Sequence, residues 1–499
     1  MEFGENEDIA LWSRQQSAVG TRYITPGITL DIYFKGVQSS PGISFFFDVN
    51  GNNWCDMLRV KWYRDGVLLS DKAFYPDSAV YSCVNKVDLY NRVTVQFVRM
   101  NMTGRYLRLE AVLFGIIRVF GDGELENLTI NEGCDPTGRT TYINSADFTV
   151  NTKDTLPYMF LRRQPLHIRH NGVYMGLYYI DKSKRYADRR YSIEAIDKIG
   201  VLDASDDFMG GMYDGIVNII TAETLLKQII TEPLGVIIDE SLKNIKITGW
   251  LPAMKRRDAL AQVAVAIGAI INTSRTNVIE VKPMPKSGDI KRVIDKDRVY
   301  QSGTVDIEFP YTGIELIEHN FTANGEITEL YSGVFSGEKI VKFSEPASNL
   351  TITNGNILYD EANYAIIKSV NENIKCTLSG RKYTDNQSSV VVKTPDLTEG
   401  TQERIEKIED CFLVNKDNSQ TVAQRLYDYY IRRNVFEGEF LIINAKIKSE
   451  MEQLGDNVKV ATVFKDENGK DDYISGQIEK LSLSLGSKNI KAKGVIRGD

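Results

Sequence analysis

The sequence predicts a mainly β, multi-domain chain with one small α/β domain. Two tube-like β-barrel or sandwich units and an N-terminal β-sandwich of jelly-roll type make up the rest. Three observations carry this. First, a strand module occurs twice: Pro165-LHIRH-Asn171-Gly172, Tyr174-MGLYYIDKS and Arg190-YSIEAIDKIG in mid-chain, then Gly455-DNVKVATVF, Tyr473-ISGQIEKLSLSLGS and Asn489-IKAKGVIRGD at the C-terminal end. Second, apolar and polar residues alternate with period two between Asn, Gly, Asp and Ser joints, the pattern of antiparallel strands with one buried face. Third, helical periodicity is confined to a few short stretches after residue 205. Duplicated β-modules in one chain suggest pseudo-symmetry, so a trimer would present six similar units as a ring. Two unrelated β-meanders would leave the same weak pattern.

The first 116 residues read as one aromatic-rich β-domain: ITLDIYFKGV, GISFFFDVNG, MLRVKWYRDGVLLSD, NRVTVQFVRM and GRYLRLEAVLFG are strands split by Asn-Gly, Asp-Gly and Pro-containing joints. Asp65-Gly66 between two alternating runs predicts a hairpin. Residues 117–205 form the first tube-like unit, in which the hairpin LENLTINEGCDPTGRTTYINSADFTV turns at Asp135-Pro136-Thr137-Gly138 and feeds the first module. Residues 206–288 form the α/β domain. There Thr221 caps a helix with Leu225, Leu226, Ile229 and Ile230 on one face, a short strand runs from Ile245 to Gly249, and Arg257-DALAQVAVAIGAIINTSR reads as a second helix of small apolar residues. A β-domain over 289–398 alternates in Val305-DIEFPYTGIELIEH, Ile374-KCTLSGRKY and Ser389-VVVKT. Residues 399–499 pair a helix capped by Ser419 with the second module, and its stripe Val422, Leu426, Tyr429 and Tyr430 is expected to lie on that module's sheet.

Composition excludes several classes. With 499 residues, three to four domains is about what one chain of this length holds. No apolar run reaches the roughly 18 residues needed to span a bilayer, and MEFGENEDIALW lacks a basic and an apolar signal region, so synthesis and assembly in the cytoplasm are expected. A net charge of -7 argues against a sequence-reading nucleic-acid binder and is compatible with lining a conduit from which DNA is repelled. Cys55, Cys83, Cys134, Cys376 and Cys411 show no CxxC and an odd count, which predicts reduced buried thiols.

Candidate chemistry is sparse. His167 and His170 lie three residues apart on a strand and therefore face opposite ways, and His319 is remote, which argues against a His-based zinc site or a Ser-His-Asp triad. Asp203, Asp206, Asp207 and Asp214 cluster in a loop without EF-hand spacing, and Gly210, Gly211 and Gly215 precede no phosphate-loop Lys-Ser/Thr. Arg162-Arg163 and Lys255-Arg256-Arg257 could bind nucleic acid, but a helix start or a salt bridge between subunits explains them more cheaply. Trp54, Trp62, Tyr63, Tyr75, Tyr81 and Tyr90 suit sugar stacking or, more simply, the core of a sandwich. No residue is assigned as catalytic, cofactor-binding or metal-ligating, and no cofactor is expected.

Read in order, LPYMFLRRQPLHIRHNGVYMGLYYIDKS, RYSIEAIDKIGVLD, MGGMYDG, ITGWLPAMKRRDALAQVAVAIGAIINTSR and SGQIEKLSLSL with IKAKGVIRGD resemble the central baseplate hub family of phage tails, prophage tail particles and contractile bacteriocins. The likeness covers about residues 117–499, and TGWLP through NTSR is its most specific part, with Asn272 where an acidic residue is common. The resemblance implies a non-enzymatic virion protein of the tail baseplate, a homotrimer whose two tube-like domains per subunit form a pseudo-hexameric ring between tail tube and spike or tip. Implied partners are further copies of the chain, the tail tube or distal tail protein, the spike or tip protein and the tape measure protein, with DNA only passing through the lumen. GRYLRLEAVLFG is similar to the closing strands of discoidin-like carbohydrate-binding domains, so residues 1–116 suggest a cell-surface glycan as a further partner. A carbohydrate-binding receptor-binding tail-tip protein is the competing reading. A glycan hydrolase is disfavoured, because neither βα repetition nor a recognisable carboxylate pair is present.

Overall fold

The computed structural model describes residues 11–48, 51–115, 118–121, 123–152, 160–214, 219–231, 234–284, 288–300, 303–309, 311–395, 397, 402–442, 448–465, 468–486 and 489–498. The chain divides into two compact units, Met1–Gly123 and Glu124–Asp499.

In the first unit six strands form one sheet. Leu11–Gln16 pairs with Tyr106–Leu113, then follow Tyr23–Phe47, Val80–Met100, Cys55–Arg64 and Val67–Phe74. The Asp65-Gly66 hairpin forms as expected: both residues have positive φ, 48° and 84°, and Arg64 pairs with Val67. The segment ITLDIYFKGV and the first six residues of GISFFFDVNG, expected in separate strands, belong to the single strand Tyr23–Phe47. Its register against Val80–Met100 shifts between Tyr33 and Gln38, Gln38 and Ser40, and Ser40 and Gly42, so the Ser-Pro-Gly joint makes bulges in place of a turn. Phe45, Phe47, Leu58, Val60, Trp62, Tyr90, Val95 and Phe97 are all completely buried in one core.

In the second unit an eleven-stranded sheet contains both strand modules. Across it run Thr304–Ile307, Asn434–Ile442, Ile490–Gly498, Asp471–Leu485, Leu125–Gly133, Ser145–Asn151, Arg190–Ile196, Val173–Ala187 and Pro165–His170, while Asn457–Lys465 pairs with Asp471–Leu485 and with Arg292–Ile294 off this path. No barrel closes among the described residues. The strands Arg292–Ile294 and Thr304–Ile307, expected within a separate β-domain, are thus built into the second module's sheet.

Helix Ala222–Ile229 starts where expected, with the Thr221 hydroxyl accepting from the Thr224 N–H and Leu225, Leu226 and Ile229 buried. The second predicted helix is shorter than the sequence suggested. It runs over Arg256–Ile267 and stops at Gly268 in the left-handed conformation (φ 69°), after which Ala269–Asn272 is a strand paired with Ile279–Pro283. Ala269, Ile270 and Ile271 continue the apolar run without a polar break, so composition hides the change from helix to strand.

The C-terminal helix Ser419–Tyr430 differs in two respects. Asn418, not Ser419, is its cap residue, and the Ser419 hydroxyl instead donates to Glu318 at 2.6 Å. Val422 and Leu426 pack with Ile314, Leu316 and Ile408, on the small sheet of Gly313–Glu318, Ser388–Lys393 and Ile405–Ile408, and only Tyr429 reaches the second module, donating to Glu479 at 2.6 Å. The remaining strands between Ile327 and Lys382 form two three-stranded antiparallel sheets.

Candidate functional site

The two modules share one strand order. In the first, Pro165–His170, Val173–Ala187, Arg190–Ile196, Ser145–Asn151 and Leu125–Gly133 lie side by side; in the second, Asn457–Lys465, Asp471–Leu485, Ile490–Gly498, Asn434–Ile442 and Thr304–Ile307 do so. Backbone bonding fixes the correspondence. Ile180 accepts from the Arg163 N–H and donates to Gln164; Ile478 accepts from Gly455 and donates to Asp456. A bulge follows at the same place in each long strand, between Ile180 and Lys182 and between Ile478 and Lys480. Across the first sheet Lys182, Glu194, Asp147 and Thr129 are then aligned, and across the second Lys480, Val495, Glu437 and Thr304. By this correspondence Gly476 matches Tyr178 and not Gly176, so the glycine shared by the two sequence motifs is displaced by one pleat.

The modules meet at a seam. The second half of Asp471–Leu485 pairs antiparallel with Leu125–Gly133: Lys480 opposite Gly133, Leu481 opposite Glu132, Ser482 opposite Asn131, Leu483 opposite Ile130 and Ser484 opposite Thr129. The Cys134 N–H extends it by donating to the Glu479 carbonyl at 2.9 Å. Ile130, Leu481 and Leu483 are buried on one side, and on the other the Ser482 hydroxyl bonds Asn131 at 2.7 Å.

A buried ionic network braces the seam. Arg275 grips Glu132 with two hydrogen bonds, at 3.2 and 3.0 Å, and donates to the Glu452 carbonyl at 2.9 Å; both charged side chains are withdrawn from water. The guanidinium fork meets both carboxylate oxygens, the bidentate geometry that makes such a pair directional as well as strong. Two residues earlier, Thr273 donates to Asp197 at 2.5 Å and accepts from Asn144 Nδ2 at 2.9 Å. Burial pushes the Asp197 carboxyl up to about 6, against the opposing effect of the Thr273 hydroxyl and the Asn144 and Gly200 N–H groups. Asn272, Thr273, Ser274 and Arg275 are the end of the most specific sequence stretch, which flagged the segment without revealing that it locks two modules together.

The residues weighed for chemistry lie apart. His167 bonds the Tyr174 hydroxyl at 3.0 Å, His170 bonds the Gly486 carbonyl at 2.7 Å, and His319 is buried against Phe321 and Phe412 with Asp385 at 2.8 Å. The acidic loop and the basic run turn out to be mutual partners: Asp207 pairs with Lys255 at 3.4 Å and Lys342 at 3.7 Å, Asp203 with Arg257 at 3.3 Å, and the Asp206 carbonyl accepts from Arg256. Arg162 pairs with Asp181 at 3.3 Å. Gly215 lies outside the described residues. Among these residues no group of three or more His, Cys, Asp or Glu side chains could hold a metal ion. All five cysteines are free and buried, and burial raises the thiols of Cys55 to about 11 and Cys411 to about 12. Of the N-terminal aromatics, Trp62 and Tyr90 are core, Trp54, Tyr63 and Tyr81 are partly buried, and Tyr75 is exposed.

No protein-family model matches the chain, and no curated protein does. Solved structures are similar to it at low identity. A tail protein from Neisseria meningitidis aligns over 75% of this chain and 93% of its own at 12% identity with a TM-score of 0.46. The 43 kDa tail protein of prophage MuSo2 from Shewanella oneidensis covers the same shares at 12% identity and 0.40. The prophage tail protein gp18 from Listeria monocytogenes aligns over 74% and 89% at 12% identity and 0.40.

Proposed function

We propose that the chain is a structural hub of a phage or phage-like tail, a homotrimer whose six modules form a pseudo-hexameric ring joining the tail tube to the spike or tip. The observation that carries this reading is the pair of modules with one strand order, joined side by side within a continuous sheet. A sheet that repeats itself laterally is the building block of a ring, because each repeat offers the next the same edge. Tail tube or distal tail protein above, spike or tip below and tape measure protein inside would be its neighbours, with DNA passing through the lumen.

On this reading no catalysis is expected. The buried Arg275, Glu132 and Asp197 are enclosed by protein and hold elements together rather than meeting a substrate. Light scattering of the purified chain, followed by imaging of the particle, tests the proposal: a trimer and a threefold ring on the tail axis are expected. A stable monomer, or a peripheral location in many copies, would favour the receptor-binding alternative.

A further inference from the structure

The seam inside the chain is used once, yet both of its edges exist twice. Following the correspondence of the modules, the counterpart of Lys480–Ser484 is Lys182–Tyr186, and the counterpart of Thr129–Gly133 is Thr304–Glu308. Among the described residues neither counterpart is paired with a further strand, although the Ser183 hydroxyl donates to the Phe160 carbonyl at 3.0 Å. Beyond the stretch paired with Pro165–His170, the strand Val173–Ala187 bonds only Arg190–Ile196 among the described strands, and Lys182 through Ala187 are all exposed. Thr304–Ile307 bonds Asn434–Ile442 on one side and no described strand on the other.

We propose that these two edges belong to each other in different copies, so that Lys182–Tyr186 of one chain pairs antiparallel with Thr304–Glu308 of the next. The intramolecular seam dictates the register: Lys182 opposite Glu308, Ser183 opposite Ile307, Lys184 opposite Asp306, Arg185 opposite Val305 and Tyr186 opposite Thr304. Two observations that played no part in deriving this register agree with it. Lys184 comes to face Asp306, and Lys182, which bonds Glu194 at 2.9 Å within its own chain, comes to face Glu308, which bonds Arg497 at 2.7 Å, so opposite charges lie directly across the strands. Phe309, 85% exposed, is the counterpart of Cys134, which is 2% exposed because it lies on the neighbouring strand, so the joint would cover the ring. An edge with Ile307 and Phe309 uncovered is otherwise an aggregation hazard. The contact is head-to-tail, since the two edges differ, so it cannot make a twofold dimer and builds a ring where the rotation between copies closes, as the ring reading requires.

The inference rests on the ring reading above and specifies its joint. Lys184→Cys with Asp306→Cys in the full-length chain tests it, because cysteines directly opposite on antiparallel strands are within disulfide reach. Under mild oxidation the pair is expected to give inter-chain disulfides, with roughly ten-fold more linked chain than Lys184→Cys with Ile307→Cys, whose side chains leave opposite faces of the sheet. Lys184→Glu should lower the oligomer fraction and Lys184→Glu with Asp306→Lys restore it, both by light scattering. An oligomer without the specific cross-link would overturn this joint and leave the ring standing. A monomer with no cross-link, or with equal linking in both cysteine pairs, would overturn both.

Discussion

The two modules carry the same strands in the same order, yet each has one edge sealed in the seam while the counterpart edge in the other module stands open. At the seam, Leu481 and Leu483 are buried, and Glu132 is clasped by Arg275. At the corresponding open positions stand Ser183, Arg185 and Ile307, and Ile307 is 72% exposed. With the proposed ring, the same backbone plan would support two kinds of joint. Inside one chain the joint forms along with folding, so it tolerates permanent burial of apolar groups and a paired charge. Between chains each edge must first remain soluble, and the lysines at 182 and 184 protect it as charges protect natural sheet edges.

The largest effect expected from breaking this contrast is at the sealed joint. Glu132→Ala leaves the Arg275 guanidinium buried without its carboxylate, and loss of one member of a buried pair costs about 3–5 kcal/mol. Urea unfolding should show that loss, whereas Ile307→Ala, at the corresponding open site, should fall within about 0.5 kcal/mol of the parent in the isolated chain. Equal effects would mean that the two joints do not differ as described.

Gly476→Val comes next. A Cβ there would run into the Arg497 carbonyl and the Gly498 backbone on the adjoining strand, which cannot swing aside as a side chain can. The expected cost is about 3 kcal/mol, at the upper end for overpacking. At Gly176 the obstacle is the Tyr178 ring at 2.9 Å, together with a φ of 126°, so Gly176→Ala should also destabilise, here through backbone strain.

A smaller effect depends on pH. The folded state holds the Asp197 carboxyl up to about 6, above the ordinary 3.8. Between those values the folded chain binds the proton that the unfolded chain has released, so stability from this group is greatest at low pH and declines as pH rises through about 6. Wild type should therefore lose on the order of 2 kcal/mol relative to Asp197→Asn between pH 4 and 6, read from paired denaturation curves. A difference that grows in the other direction would show that the three hydrogen bonds to the carboxylate outweigh its burial.

How much of this was legible in the sequence follows from range. The duplicated strands, the Asp65-Gly66 hairpin and the Thr221 cap were readable because their signals are local: alternation, turn residues and a hydroxyl three residues before its N–H partner. The end of the helix at Gly268 was obscured, since Ala, Val and Ile fill both the helix and the strand that follows. The seam itself was invisible, because Leu481 and Glu132 are brought opposite only by the fold, and nothing near either residue records the other. Gly176 and Gly476, each near the start of a module's long strand, lie one pleat apart in the fold, since register is set across strands and not along them. Asp203, Asp207, Lys255 and Arg257 looked like two separate charged motifs, and their pairing emerged only in three dimensions.

The smallest expected effect in folding is also the sharpest contrast between the modules. Cys134 and Phe309 occupy corresponding positions, one covered by the adjoining strand and the other 85% exposed. Cys134→Asp would force a carboxylate into a buried site, and thermal unfolding should fall well below that of the parent. Phe309→Asp removes an aromatic ring already in water, so the isolated chain should unfold within about 0.5 kcal/mol of wild type. Its effect should appear instead in association: with the ring replaced by a charge, the oligomer fraction at a given concentration should drop while circular dichroism is unchanged. If Phe309→Asp unfolds the chain as Cys134→Asp does, the position is already covered within one copy, and the difference between the sealed and the open edge disappears.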